Sequence, residues 1–179
     1  LISAGIVFVI WGVVIILSSS LSLLPIPNWP LISSLPNITR GLVIVGSAVN
    51  QGIGYSLSGG CDINNDGVDD FIILAFAAGN PIVFVVFGHY QLSGWQTTTS
   101  SGIISISDLI DNGNGFMIIP GHVGGSDGWS RLFGYRSVKC VGDYNGDGFN
   151  DILIGDQERK HFETSDNDWY HRRSVLVYG

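Results

Sequence analysis

The sequence predicts an all-β protein, and three observations predict it. Val and Ile crowd into short runs bounded by Gly, Asn, Asp and Ser, as at residues 4–12, 41–46 and 81–88. Glycine is abundant, at 25 of 179 residues, and aromatics reach 11 %, the profile of many strands joined by many turns. Helical periodicity is nearly absent. A hydrophobic content of 45 % is enough for a sizeable core and too high for a disordered chain.

The elements follow in chain order. The first charged residue is Arg40 and the next is Asp62, so the N-terminal third is almost uncharged. Residues 5–17, GIVFVIWGVVIIL, are β-branched, carry Gly12 midway and lack a basic flank. They read as buried strand, with a signal-peptide core or short membrane span as the other reading. Because the chain starts at Leu1 and not at Met, it is expected to be a processed product or a piece of a longer one. Residues 18–39 and 89–114, rich in Ser, Pro, Thr and Asn, read as long surface loops. Asn37-Ile38-Thr39 is an N-glycosylation sequon, which makes Asn37 a candidate glycan site and points to a secreted protein.

Internal repetition organises the rest. An aromatic-glycine turn region, GIGYSLSGGCD (52–62), recurs as LFGYRSVKCVGD (132–143). Each leads into an acidic loop, DINNDGVDD (62–70) or DYNGDGFND (143–151), and each loop leads into an apolar strand, DFIILA (70–75) or DILIG (151–155). Further strands, PIVFVVFG (81–88) and SVLVYG (174–179), match each other and the chain's own start, AGIVFVIWG (4–12). A fourth element, GLVIVG (41–46) or GFMIIPG (115–121), precedes each turn region. The loops begin 81 residues apart, which suits a four-stranded unit carrying insertions. The expected units are 1–48, 49–119 and 120–179, holding two, four and three strands.

Both acidic loops have the form D-x-N-x-D-G-x-x-D. Side-chain oxygens at positions 1, 3, 5 and 9 converge, position 7 offers a backbone carbonyl, and Gly at position 6 permits the sharp turn around a cation. In the first loop these are Asp62, Asn64, Asp66 and Asp70, with the carbonyl of Val68; in the second, Asp143, Asn145, Asp147 and Asp151, with the carbonyl of Phe149. An all-oxygen set selects Ca²⁺, since Mg²⁺ keeps its waters and zinc prefers His or Cys. Seven of the fifteen acids lie in the two loops, and two bound divalent ions would bring the net charge of −7 to about −3. Asx-rich turns are the plainer reading, because Asn-Gly and Asp-Gly turn readily. Five shared positions inside one strand pattern weigh against it. An EF-hand or dockerin loop needs an acid at position 12, where this chain has Ile73 and Ile154.

Two cysteines, Cys61 and Cys140, precede the loops at different offsets. A bridge between neighbouring repeats is one reading, and two small buried side chains the other.

Aromatic-Gly-Tyr, the acidic loop, the apolar strand ending near Ile-Gly and the later PIVFVVFG strand together resemble the FG-GAP repeat of integrin α-subunit β-propellers. The likeness covers 41–88 and 115–179, with 1–12 as a fragment. Phe133-Gly134 is the FG element of the second repeat, while the first departs with Ile53-Gly54. The GAP element is degenerate in both, at Leu74-Ala75-Phe76 and Ile154-Gly155-Asp156. The resemblance implies four-stranded antiparallel propeller-type blades, with a structural Ca²⁺ in the hairpin joining the first two strands of each blade. It implies no catalytic role.

A closed propeller takes four to eight blades, so fewer than three make an incomplete propeller. Expected partners are other copies of the chain, joined by strand donation into a filament or oligomer, or further blades of a longer propeller. The uncharged first 17 residues suit a donated strand. The function expected is a secreted or cell-surface calcium-binding structural or adhesion protein, and not an enzyme. The alternatives are part of a closed propeller that binds a protein or glycan, or a non-catalytic part of a hydrolase or lyase. His89, His122, His161 and His171, with Asp108, Asp111, Asp127 and Glu163, show no catalytic spacing. Trp95, Trp129 and Trp169 are candidate sugar-stacking faces, with capping of the core the plainer reading. Basic residues are not clustered, so no nucleic-acid partner is expected.

Overall fold

A computed structural model describes residues 6–10, 13–17, 41–48, 51–77, 80–90, 95, 103–119, 133–157 and 172–179. They are mostly strand. Asn37, Trp129, Trp169, His122, Asp127, His161, Glu163 and His171 lie outside the described residues.

The first sheet joins β1 (Ile6–Ile10), β2 (Val13–Leu17), β3 (Gly41–Val45) and β7 (Ile103–Ser105) in the order β2-β1-β3-β7. The run 5–17, expected as one strand, is therefore two antiparallel strands, with Ile6 opposite Leu17 and Ile10 opposite Val13. Folding back bonds one edge of β1 to β2, and β3 bonds the other. A lone apolar strand would leave one of those edges unpaired. The segment expected as a donated strand is thus paired within its own chain. β7 lies in the 49–119 segment yet joins this sheet, running parallel to β3 with Val43 opposite Ile103.

The second sheet is an antiparallel meander of β4 (Ile53–Cys61), β5 (Asp70–Ala77), β6 (Asn80–Val86) and β8 (Gly115–Ile118). The third joins β9 (Phe133–Gly142), β10 (Asp151–Gln157) and β11 (Arg172–Val177) in the order β11-β10-β9, and β11 has no second neighbour among the described residues. One short helix, α1 (Ile106–Asp111), interrupts the region expected as loop. Its signal was local: the Ser105 hydroxyl caps the Asp108 N–H at 3.1 Å, and Ile106 and Leu109, three apart, are buried. Among the described residues no helix is long and apolar enough to cross a membrane.

Successive side chains on a strand point to opposite faces. On the second sheet Ile73, Ala75, Phe84 and Val86 enter one core with Leu42, Ile44, Ile104, Ile106 and Leu109. Ile72, Leu74, Val83 and Val85 enter another with Val138, Ile152 and Ile154 of the third sheet. The second sheet is therefore covered on both faces, which is why β5 and β6 read as continuous apolar runs and not as alternation. Each fully buried Ile, Leu or Val stabilises the stack by ~1.5–3 kcal/mol.

Candidate metal centre

Both acidic loops sit in hairpins, the first between β4 and β5 and the second between β9 and β10. Position 4 takes a left-handed backbone in each, at Asn65 (φ 56°) and Gly146 (φ 79°). Position 6 does so too, at Gly67 (φ 85°) and Gly148 (φ 97°). Asn and Gly are the residues that occupy this region at least cost.

These turns aim successive N–H groups at the loop's own acids in a pattern that recurs in both loops, the second adding a bond from the Gly146 N–H to Asp143 Oδ1 at 2.7 Å. Asp62 Oδ1 accepts from the Asp66 N–H (2.9 Å) and Oδ2 from Gly67 (2.8 Å); Asp143 accepts from Asp147 (3.0 Å) and Gly148 (2.9 Å). Asn64 Oδ1 shares the Asp66 N–H, and Asn145 Oδ1 shares that of Asp147, both at 3.1 Å. Asp66 Oδ1 accepts from Val68 (2.8 Å), and Asp147 Oδ1 from Phe149 (2.9 Å). Each Asn amide donates to the position-5 carboxylate, at 2.9 Å in the first loop and 2.7 Å in the second. Oxygens at positions 1 and 3 that share one donor lie side by side.

Position 9 behaves differently from the expected ligand. Asp70 is 1 % exposed and Asp151 0 %, whereas Asp66, Asp143 and Asp147 are open to solvent. Asp70 Oδ2 accepts from the Ile63 N–H and Oδ1 from Gly88 (2.8 and 2.7 Å); Asp151 accepts from Tyr144 and Gly179 (2.8 and 3.1 Å). One buried carboxylate thus ties the loop's start to the end of the sheet's third strand. Gly88 and Gly179 were missed as site residues. A Cβ on Gly88 would overlap the Asp69 carbonyl, and one on Gly179 would crowd the Asn150 carbonyl and Phe149. The repeat alignment carried the signal, since PIVFVVFG and SVLVYG both end on that glycine.

Burial, above all, pushes the Asp70 carboxyl above its ordinary value of 3.8. The N–H groups of Gly88 and Ile63 pull it back, and the nearby Asp66 charge pushes it up again. A divalent ion in the loop would reverse the balance.

The donor set suits such an ion: it is all oxygen, and a carboxylate oxygen accepting one N–H, as each oxygen of Asp62 does, keeps a second lone pair, while Asp143 Oδ1 accepts two and would give one up to a cation. The acids are not gathered around a common point, and among the described residues no group of three or more His, Cys, Asp or Glu is placed to hold a metal. Ligation would require the carboxylates at positions 1, 5 and 9 to swing together, with Asn64 or Asn145 and the carbonyl of Val68 or Phe149 completing the set.

Cys61 and Cys140 are joined, with Cα atoms 5.8 Å apart. The bond links the second sheet to the third at the base of both loops. Beside it, the Cys140 N–H donates to Ser58 Oγ at 3.0 Å. Tyr90, exposed, donates its hydroxyl to the Gly67 carbonyl at 3.1 Å.

Trp95, read as a sugar platform, is 6 % exposed, packs in the first core and donates Nε1 to the Phe87 carbonyl at 2.8 Å. It caps the core. His89 pairs with Asn114 Oδ1 at 2.9 Å and meets Trp95 edge-on, while Asp108 and Asp111 are exposed on α1. No protein-family model matches the chain, and comparison with curated proteins finds no match.

Proposed function

We propose that the chain is a secreted, calcium-binding structural or adhesion protein built of FG-GAP-like propeller-type blades. In it, Ca²⁺ stabilises the two acidic hairpins and performs no chemistry. The observation that carries this reading is the duplicated loop: the same residues at positions 1, 3, 5, 6 and 9, making the same hydrogen bonds. The acids repel one another without a positive partner, so ion binding supplies folding free energy. Thermal melting in calcium and in chelator tests it. Calcium should raise the melting temperature by several degrees, and identical curves would refute it.

Assembly with further copies is part of the same reading. Among the described residues β11 is bonded on one side only, and such an edge favours pairing with another chain. Residues 6–10 and 13–17, already paired in their own chain, are not the donated element. Sedimentation should show concentration-dependent oligomers; a monomer at all concentrations would remove this part and leave the calcium reading standing.

A further inference from the structure

We infer that the two loops form one coupled unit in which an ion bound at either loop raises the affinity of the other, a regulation that rests on the calcium reading above. The observations lie between the loops. The N–H of Asn150, position 8 of the second loop, donates to the backbone carbonyl of Asp62, position 1 of the first, at 3.1 Å. Gly179, whose N–H holds Asp151, lies so close to the first loop that a Cβ there would stand 3.0 Å from the Ile63 carbonyl. Ile63 is itself buried in the core shared by the second and third sheets. Immediately behind, the Cys61–Cys140 bond fixes the two hairpins to each other one residue before Asp62 and three before Asp143.

The physical consequence is shared ordering. Asn150 sits between Phe149 and Asp151, both expected ligands, so an ion that fixes those two also fixes the N–H between them. Closing that loop sets the Asp62 backbone from which the first loop starts. The cost of ordering this common wall is met by whichever ion binds first, and the second ion binds a loop already arranged. Repulsion between two dications opposes this, but the two loops carry seven carboxylates to offset it. By reciprocity the factor must be the same in both directions.

The test is calcium titration calorimetry of the oxidised protein, with Asp66→Ala and Asp147→Ala each removing one site. The wild type should take up two ions with a Hill coefficient above about 1.5. Each single variant should bind one ion about tenfold more weakly than its site does in the wild type, a coupling of about 1.4 kcal/mol. Cys61→Ser with Cys140→Ser leaves every ligand in place and should lower the Hill coefficient toward 1. Two ions bound independently, or with a coefficient below 1, would overturn the coupling while leaving the calcium reading intact. No uptake at all would overturn both.

Discussion

Asp66 and Asp70 lie four residues apart in one loop, yet their replacement by alanine should have different consequences. Asp70→Ala strips the acceptor from two buried N–H groups, those of Ile63 and Gly88. Each orphaned donor costs ~1–3 kcal/mol, offset in part because a carboxylate that burial disfavours is no longer buried. A net loss of ~3 kcal/mol follows, or roughly 6–12 °C in a domain of this size. That loss should be present already in chelator, before the loss of a ligand adds to it in calcium. Asp66→Ala removes only exposed hydrogen bonds, from Val68 N–H and Asn64 Nδ2, so in chelator it should cost ~1 kcal/mol or less. In calcium at a hundred times the dissociation constant it should forfeit a further ~2.7 kcal/mol, the stabilisation one ligand supplies at that concentration. Differential scanning calorimetry on both variants in both buffers gives four shifts. Equal shifts for the two variants in chelator, or no calcium dependence in the Asp66→Ala deficit, would refute a position 9 that ties the hairpin together even without the ion and a position 5 that acts through the ion.

Three other outcomes are expected. Replacing Cys61 and Cys140 by Ser frees a loop spanning 79 residues of sequence separation, and the lost denatured-state constraint is worth ~4 kcal/mol; an unchanged urea midpoint would contradict it. Gly88→Ala forces a methyl against the Asp69 carbonyl and tilts the N–H that holds Asp70, costing ~1–3 kcal/mol by denaturant titration, and a variant as stable as wild type would contradict the close packing. The Asp70 carboxyl, held above 3.8, contributes stability to the metal-free protein below its ordinary value and loses it as pH rises through the raised one. The calcium-induced rise in melting temperature should therefore shrink as pH falls from about 7 to about 4, and a constant increment would contradict this.

The strand runs were legible because they are β-branched and turn-bounded, and the two loops because Asp, Asn and Gly recur at fixed spacing. What escaped notice depends on partners distant in sequence. Asp70 and Asp151 share the composition of their neighbouring ligands, and only the fold shows that they are buried and bonded to Gly88 and Gly179, 18 and 28 residues away. The division of residues 5–17 into two strands, and the pairing of β7 with β3, follow from edges that no local pattern encodes. Trp95 sits in a polar stretch that left sugar stacking and core capping both open, and its burial among distant partners selects the cap. One alternative open in the sequence is resolved by the fold, since the cysteines are bridged, whereas the short helix capped by Ser105 lies in a stretch that reads as loop.

The central claim is that one divalent ion sits in each loop. Native mass spectrometry of the protein equilibrated with calcium measures this directly. The account predicts two calcium ions on the wild type, one on Asp147→Ala and none on the variant carrying both Asp66→Ala and Asp147→Ala. A wild type that retains no calcium at millimolar concentration, or a double variant that retains both ions, would contradict it.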